Sequence, residues 1–212
     1  MKTTAKVLKY ITQEDERTKK KKFFELLRRS NRPSIEEVLT ELENIGFFEA
    51  PASRKDHLAY QGGLFQHSLN VYTMSMTLYN QLKALKPDLE IQEESIIIAS
   101  LLHDVCKADR YTMTDNGTYV KNYNLPIGHG EKSVIMLLKW GLELTNEEML
   151  AIRWHMGGWH VPNNEEQQTD YVHAVESCPL VTLIHTADTL ASKIVEIEKE
   201  TACNTENKWL II

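Results

Sequence analysis

Ile96-Ile97-Ile98-Ala99-Ser100-Leu101-Leu102-His103-Asp104-Val105-Cys106-Lys107 is the stretch that decides how the chain folds. It opens apolar on every side, which is the pattern of a buried helix. Its last turns then place an imidazole, a carboxylate and an ammonium side by side. Burying His103 and Asp104 is costly unless something charged compensates them. A divalent ion would do so, since neutral imidazole and ionised carboxylate are both metal ligands. A His-Asp ion pair at a helix end is the other reading, and the dipeptide alone does not separate the two.

The surrounding chain has helical rhythm. Ser34-Ile35-Glu36-Glu37 has the form of a capping box, followed by Val38, Leu39, Leu42 and Ile45 at helical spacing. A helix over about 64–85 carries Leu64, His67, Val71, Met74, Leu78, Leu82 and Leu85 on one stripe. His67 therefore faces inward, where a lone histidine is usually a core residue unless partners converge on it. Gly128-His129 opens a helix to about Trp140, and Thr145-Asn146-Glu147-Glu148 forms a second capping box. That helix ends at Arg153-Trp154-His155-Met156-Gly157. Residues 159–178 are expected to be a loop, and a last helix to run from about Pro179 to Glu200 with Asp188 on its inward stripe. Asp115-Asn116-Gly117, between Arg110–Thr114 and Thr118–Tyr123, is a hairpin signal. The hairpin is either a flap over a site or a structural excursion. Tyr111, Tyr119 and Tyr123 on it suit base stacking and cross-strand packing equally.

These elements predict an all-α domain, a helical bundle with a small inserted β-hairpin. An arm or leading helix is expected over 1–33 and the main domain over 34–212. The arm includes Lys19-Lys20-Lys21-Lys22, which suits phosphate contact but matches the usual solvated charge block better. The 212 residues include 42% hydrophobic and 25% charged residues, an ordinary globular balance. A net charge of −6 disfavours general affinity for nucleic-acid backbone. Cys106, Cys178 and Cys203 are odd in number and far apart, which argues against a disulfide framework and for a reducing compartment. With no signal-peptide core at the N-terminus and no apolar run long enough for a bilayer, a cytoplasmic location and no membrane partner are expected.

Six side chains at inward or terminal helix positions then form one set: His67, His103, Asp104, His129, His155 and Asp188. Several buried histidines and two buried carboxylates need mutual compensation. One or two divalent ions bridged by Asp104 would supply it. One ion would take His67, His103, Asp104 and Asp188, and the other Asp104, His129, His155 and water. Mixed nitrogen and oxygen donors favour Mn, Fe, Ni, Co or Zn.

The ordered set of His67, His103-Asp104 and Asp188 on separate helices resembles the HD-domain metal-dependent phosphohydrolase superfamily, over about residues 45–200. The pair His129 and His155 resembles members that hold two metals. Gly62-Gly63, Gly128-His129 and Trp154-His155-Met156-Gly157 also look like family features. Cys106 departs from the pattern, where many relatives carry glycine. The resemblance implies a helical bundle and hydrolysis of a phosphate ester, of a nucleotide or a related small phosphorylated molecule. Asp104 and Lys107 would be catalytic, with Lys107 facing the phosphate as the lysine of His-Asp-x-x-Lys does in the family. Arg153, Trp154 and Trp159 are candidates for lining a substrate pocket, packing being the plainer reading of the tryptophans. His185, three residues before Asp188, is expected to support that ligand or to be one itself. His160 and His173 fall in the expected loop and suit solvent, and Cys106 suits the core. Two other activities occur in the same superfamily, an HD-type di-iron oxygenase and an RNA nuclease, and a non-catalytic nucleotide-binding module is a further reading, against which the complete ligand set argues.

Overall fold

The computed structural model describes residues 16–160 and 164–197, without the side chains of Trp159 and His160. The expected loop position of Pro162, the side-chain readings for Trp159 and His160, and the chain before 16 and after 197, including Cys203 and Glu200, lie outside the described residues.

Among the described residues, eight helices and one hairpin follow in order: α1 (Glu16–Arg29), α2 (Ile35–Asn44), α3 (Gly63–Leu85), α4 (Glu93–Leu102), β1 (Tyr111–Met113), β2 (Tyr119–Lys121), α5 (His129–Lys139), α6 (Asn146–Trp154), α7 (Glu165–Ser177) and α8 (Pro179–Leu190). The domain is all-α with a small hairpin. A 3-10 turn, Val105–Asp109, leads from α4 to the hairpin, and a π turn, Ala191–Val195, continues α8. α4 is the central rod. Every residue from Ser95 to Leu102 is buried, as an all-round apolar helix requires. It packs against α1, α3, α6 and α8, while α3 and α6 also flank α8 and α5 lies along α6.

α1 is built into the same core through Phe23, Leu26 and Leu27. Phe23, Phe47, Phe48 and Phe65 form a ring cluster there, with Phe23 and Phe65 centroids 5.5 Å apart. The lysine run is engaged locally. Lys19 donates to Gln66 at 2.7 Å, Lys20 pairs with Glu43 at 2.7 Å, and Lys21 faces Glu25 at 3.7 Å.

Local chemistry departs from the sequence expectation at three places. Ser34 makes no side-chain cap bond, because its backbone (φ −92°, ψ 23°) is not extended as a cap requires. Residues 165–177 are helix α7, not loop. The stripe Tyr171, Ala174, Val175 and Cys178 has helical spacing but is thin, and Ala174 alone of α7 is fully buried. His173 therefore sits on a helix, with its side chain exposed. α8 gives way after Leu190 to the π turn, so the expected long helix is shorter. α3 also outruns the core, leaving Leu82 and Leu85 exposed.

The hairpin pairs Tyr111 with Lys121 and Met113 with Tyr119, and Gly117 takes the positive φ (+78°) of its turn. Buried Lys132 on α5 fastens its base, donating to Asp109 at 2.6 Å and to the Asn124 carbonyl at 2.8 Å. Among the described residues no helix is long and apolar enough to cross a membrane.

Candidate metal centre

The ends of α4 and α6, the first turns of α3 and α5, and the last turn of α8 deliver the six side chains to one place. Two close backbone approaches make this possible. A Cβ on Gly63 would lie 2.0 Å from the Leu58 carbonyl oxygen, so the preceding loop can press onto the turn that carries His67 only because that residue is glycine. A Cβ on Gly130 would lie 2.4 Å from the Arg153 carbonyl oxygen, so α5 and α6 meet closely there. The rings of His129 and His155 consequently stand 4.9 Å apart.

Asp104 is the hub. Its Oδ2 lies 3.3 Å from His103 Nε2, 3.6 Å from His67 Nε2 and 2.6 Å from Lys107 Nζ. Its Oδ1 lies 3.4 Å from His155 Nε2 and 3.9 Å from His129 Nε2. Asp188 Oδ1 is 3.2 Å from His67 Nε2, and the Nε2 atoms of His67 and His103 are 3.2 Å apart. Two donor groups share His103: His67, His103 and Asp188, and His103, Asp104 and His155. Within each, one atom per residue lies within 4.8 Å of the others. His129 is the outermost of the six.

The rings are held with Nε2 inward. His103 Nδ1–H donates to the Ser100 carbonyl at 2.9 Å, and His155 Nδ1–H to the Ile152 carbonyl at 2.7 Å. A carbonyl only accepts, so the proton sits on Nδ1 and the neutral ring has a bare lone pair on Nε2. His155 Nε2 and Asp104 Oδ1 are both buried and lack hydrogen-bond partners. Two lone pairs facing each other in a dry interior need a cation between them, or a second proton on the ring. Imidazole and carboxylate donors at this spacing suit a divalent transition metal, so the residues present could hold one.

Charges in the cluster compensate one another. Burial works against the ionised form of Asp104, but the Lys107 ammonium and the His103 imidazole hold it far below the usual carboxylate range. Burial likewise opposes a charged His67, yet the Asp188 and Glu196 carboxylates raise it to about 9. Burial pulls His103 down, whereas Asp104 raises His155 against the same burial. Lys107 is raised by Asp104 despite burial, and stays an ammonium. Burial pushes the Cys106 thiol up to about 12, so it is no nucleophile. It donates to the His129 carbonyl at 3.2 Å, bracing that residue.

Arg153 and His185 stand around this centre. Arg153 pairs with Glu131 at 2.7 Å and lies over the Trp154 ring at 3.9 Å. It borders a cleft of about 250 Å³ together with His129, Gly128, Glu131, Met156 and Gln167. Trp154 itself is buried against Tyr171. His185 Nδ1–H donates to the His155 carbonyl at 2.7 Å, so the candidate ligand it is hydrogen-bonded to is His155, in place of the expected Asp188. Tyr123 is exposed on the loop after the hairpin.

Sequence reasoning missed two neighbours. Glu196 accepts from His67 Nδ1–H at 3.0 Å, and His57 brings its ring within 5.0 Å of the His67 ring. Asn70, three residues after His67, points to the first of these, since it also binds Glu196. His57 lies in an irregular loop where no periodicity marks it.

Residues 64–193 match the family model described as HD domain. The chain belongs to the HD-domain family, the metal-dependent phosphohydrolase superfamily. Among curated proteins it is similar to a dihydroneopterin 2',3'-cyclic phosphate phosphodiesterase of Methanocaldococcus jannaschii. The two are 25% identical over 194 residues, 91% of this chain and 70% of that protein. No solved structure gives a significant match.

Proposed function

We propose that this protein is a metal-dependent phosphohydrolase that cleaves a phosphate ester of a nucleotide or a related small phosphorylated molecule by attack of metal-activated water. The observation that carries this reading is the meeting of His67, His103, Asp104, His129, His155 and Asp188 with an ammonium, Lys107, 2.6 Å from the central carboxylate. The family match and the phosphodiesterase relative support it.

The six side chains would hold one or two of Mn, Fe, Ni, Co or Zn. When bound, such ions lower the pKa of water toward neutrality and neutralise phosphoryl oxygens. The protein supplies the rest. Carbonyls of Ser100 and Ile152 fix the ring orientations of His103 and His155 before substrate arrives. Lys107, with a side chain 12% exposed, would offset the negative charge of the phosphoryl oxygens in the transition state. Arg153, on the neighbouring cleft, suits an anionic or planar part of the substrate. Lys107 also favours phosphate chemistry over the oxygenase reading, since an ammonium complements phosphoryl charge.

The test is a screen of metal-free protein reloaded with Mn, Fe, Co, Ni or Zn against 2',3'-cyclic nucleotides, linear phosphodiesters and nucleoside monophosphates, alongside elemental analysis. Turnover of one of these esters with at least one ion per chain is expected. Oxygen consumption by the iron-loaded protein without phosphate release would replace this reading with the oxygenase, and less than one ion per chain with the binding module.

A further inference from the structure

The Nδ1 atoms of His67, His103 and His155 each have a hydrogen-bond partner, and one partner differs in kind. His103 and His155 donate to carbonyls three residues back on their own helices, at 2.9 and 2.7 Å. His67 instead donates to a carboxylate, with both oxygens of Glu196 at 3.0 Å. Hydrogen bonds to an ionised acceptor are roughly twice as strong as neutral ones. They also push electron density through the ring toward Nε2, making it a better metal donor.

Glu196 is itself held for this task. It is buried, and Asn70 donates to its Oε1 at 2.9 Å. The π turn Ala191–Val195 places it, its N–H bonding the Ala191 carbonyl at 3.0 Å. In an unbroken α-helix residue 196 would stand about 80° round from Asp188. The wider turn rotates it back to the face that carries Asp188 and meets His67, the use to which such π insertions are often put. His57 lies over the same carboxylate, Nε2 to Oε2 3.8 Å, and that nitrogen has no hydrogen-bond partner. Both Glu196 and His57 fall outside the segment 64–193 that matches the family model.

The carboxylates are also divided unevenly. The group around His67 and His103 can draw on Asp188 as well as the bridging Asp104, whereas the group around His129 and His155 has Asp104 alone.

We propose that Glu196 is a positioning residue that makes the two ion sites unequal: acting through His67, it strengthens the site of His67, His103 and Asp188, which fills first, while the site of His129 and His155 fills second. The inference rests on the metal-centre reading above. It assigns the second ion as the more weakly held one, the one whose loading follows the supply of free metal.

The experiment is a titration of the metal-free, full-length protein with Mn²⁺, followed by calorimetry and by electron paramagnetic resonance of free and bound ion. The wild type should bind in two separated steps. Glu196→Gln keeps the shape and an acceptor for His67 but removes the charge. It should weaken the tight step by about 10–100-fold and move the weak step by less than about threefold. His155→Ala should abolish the weak step and retain the tight one. Melting curves of the metal-free variants should match the wild type, separating the effect from loss of fold. Two steps that Glu196→Gln leaves unchanged, or weakens alike, would overturn the proposal. So would a third bound ion that His57→Ala removes, because Glu196 would then be a ligand. A wild type that binds no Mn²⁺ in any step would instead remove the metal-centre reading on which the proposal stands.

Discussion

α4 and α6 lie side by side, and each has buried polar groups at both of its ends. At their starts, Ser95 and Glu148 meet Arg32. Glu148 Oε1 accepts from Arg32 and from Ser95 Oγ, and Oε2 accepts from the Thr145 N–H at 2.9 Å. Both oxygens are consumed, and the Arg32 Nε is the atom left over. At their other ends, His103, Asp104 and His155 converge, with Asp104 Oδ1 and His155 Nε2 3.4 Å apart and neither atom in a hydrogen bond. The same two helices thus carry one cluster closed on itself and one open cluster. The closed cluster, satisfied apart from the Arg32 Nε, ties the α1–α2 link to α4 and α6. An open one leaves donor atoms for a guest, so buried charge at one end acts as a fastener and at the other marks a candidate site.

The contrast predicts opposite outcomes for removing one carboxylate from each end. Asp104→Asn keeps the shape but removes the hub charge. Hydrolysis of whichever ester the screen identifies should fall by about 10³-fold in kcat/KM, with cooperative thermal unfolding retained. Full activity in this variant would erase the distinction between the clusters. Glu148→Ala should do the reverse. Removing one partner of a buried pair costs about 3 kcal/mol, taken at the low end because Arg32 is partly exposed. For a chain of this size that lowers the melting midpoint by roughly 10 °C. Well below that midpoint kcat should stay close to wild type. A variant that melts normally but loses turnover would mean that the two ends are coupled through α4 and α6.

Lys107 tests the edge of the open cluster. Its ammonium pairs with Asp104 at 2.6 Å, so it has both a structural neighbour and a place facing substrate. Lys107→Ala should lower kcat by about 10²-fold and leave the metal content unchanged. Loss of metal instead would show that Lys107 serves to keep Asp104 ionised and in place, not to meet the phosphate.

The sequence made the open cluster visible and the closed one nearly invisible. His67, His103, Asp104 and Asp188 break apolar patterns and His129 and His155 stand at helix ends, so the set is visible although each member alone is weak. Glu148 is no anomaly, because a glutamate in a first helical turn is ordinary, and its burial depends on Arg32, 116 residues away. Glu196 was hidden for a related reason. Its direction depends on the π turn, and a 3.6-residue wheel places it on the wrong face. α7 was missed because its apolar stripe is only one residue wide along most of its length. The all-α class and the hairpin were legible because periodicity and Asp115-Asn116-Gly117 are signals written in neighbouring residues.

The two capping-box motifs give the smallest and most local form of the same contrast. Ser34…Glu37 and Thr145…Glu148 look equivalent in sequence. Thr145 has extended backbone (ψ 163°), accepts from the Glu148 N–H at 3.2 Å and receives the reciprocal bond, and its partner is the closed cluster's own glutamate. Ser34, at ψ 23°, aims no side-chain bond into α2. Thr145→Ala should therefore cost about 1 kcal/mol. Ser34→Ala should stay within about 0.5 kcal/mol. Urea unfolding with an unchanged m-value would measure both. Equal losses at the two positions would mean that Ser34 adopts an extended capping backbone in solution, and that the closed cluster is no better fastened than an ordinary helix start.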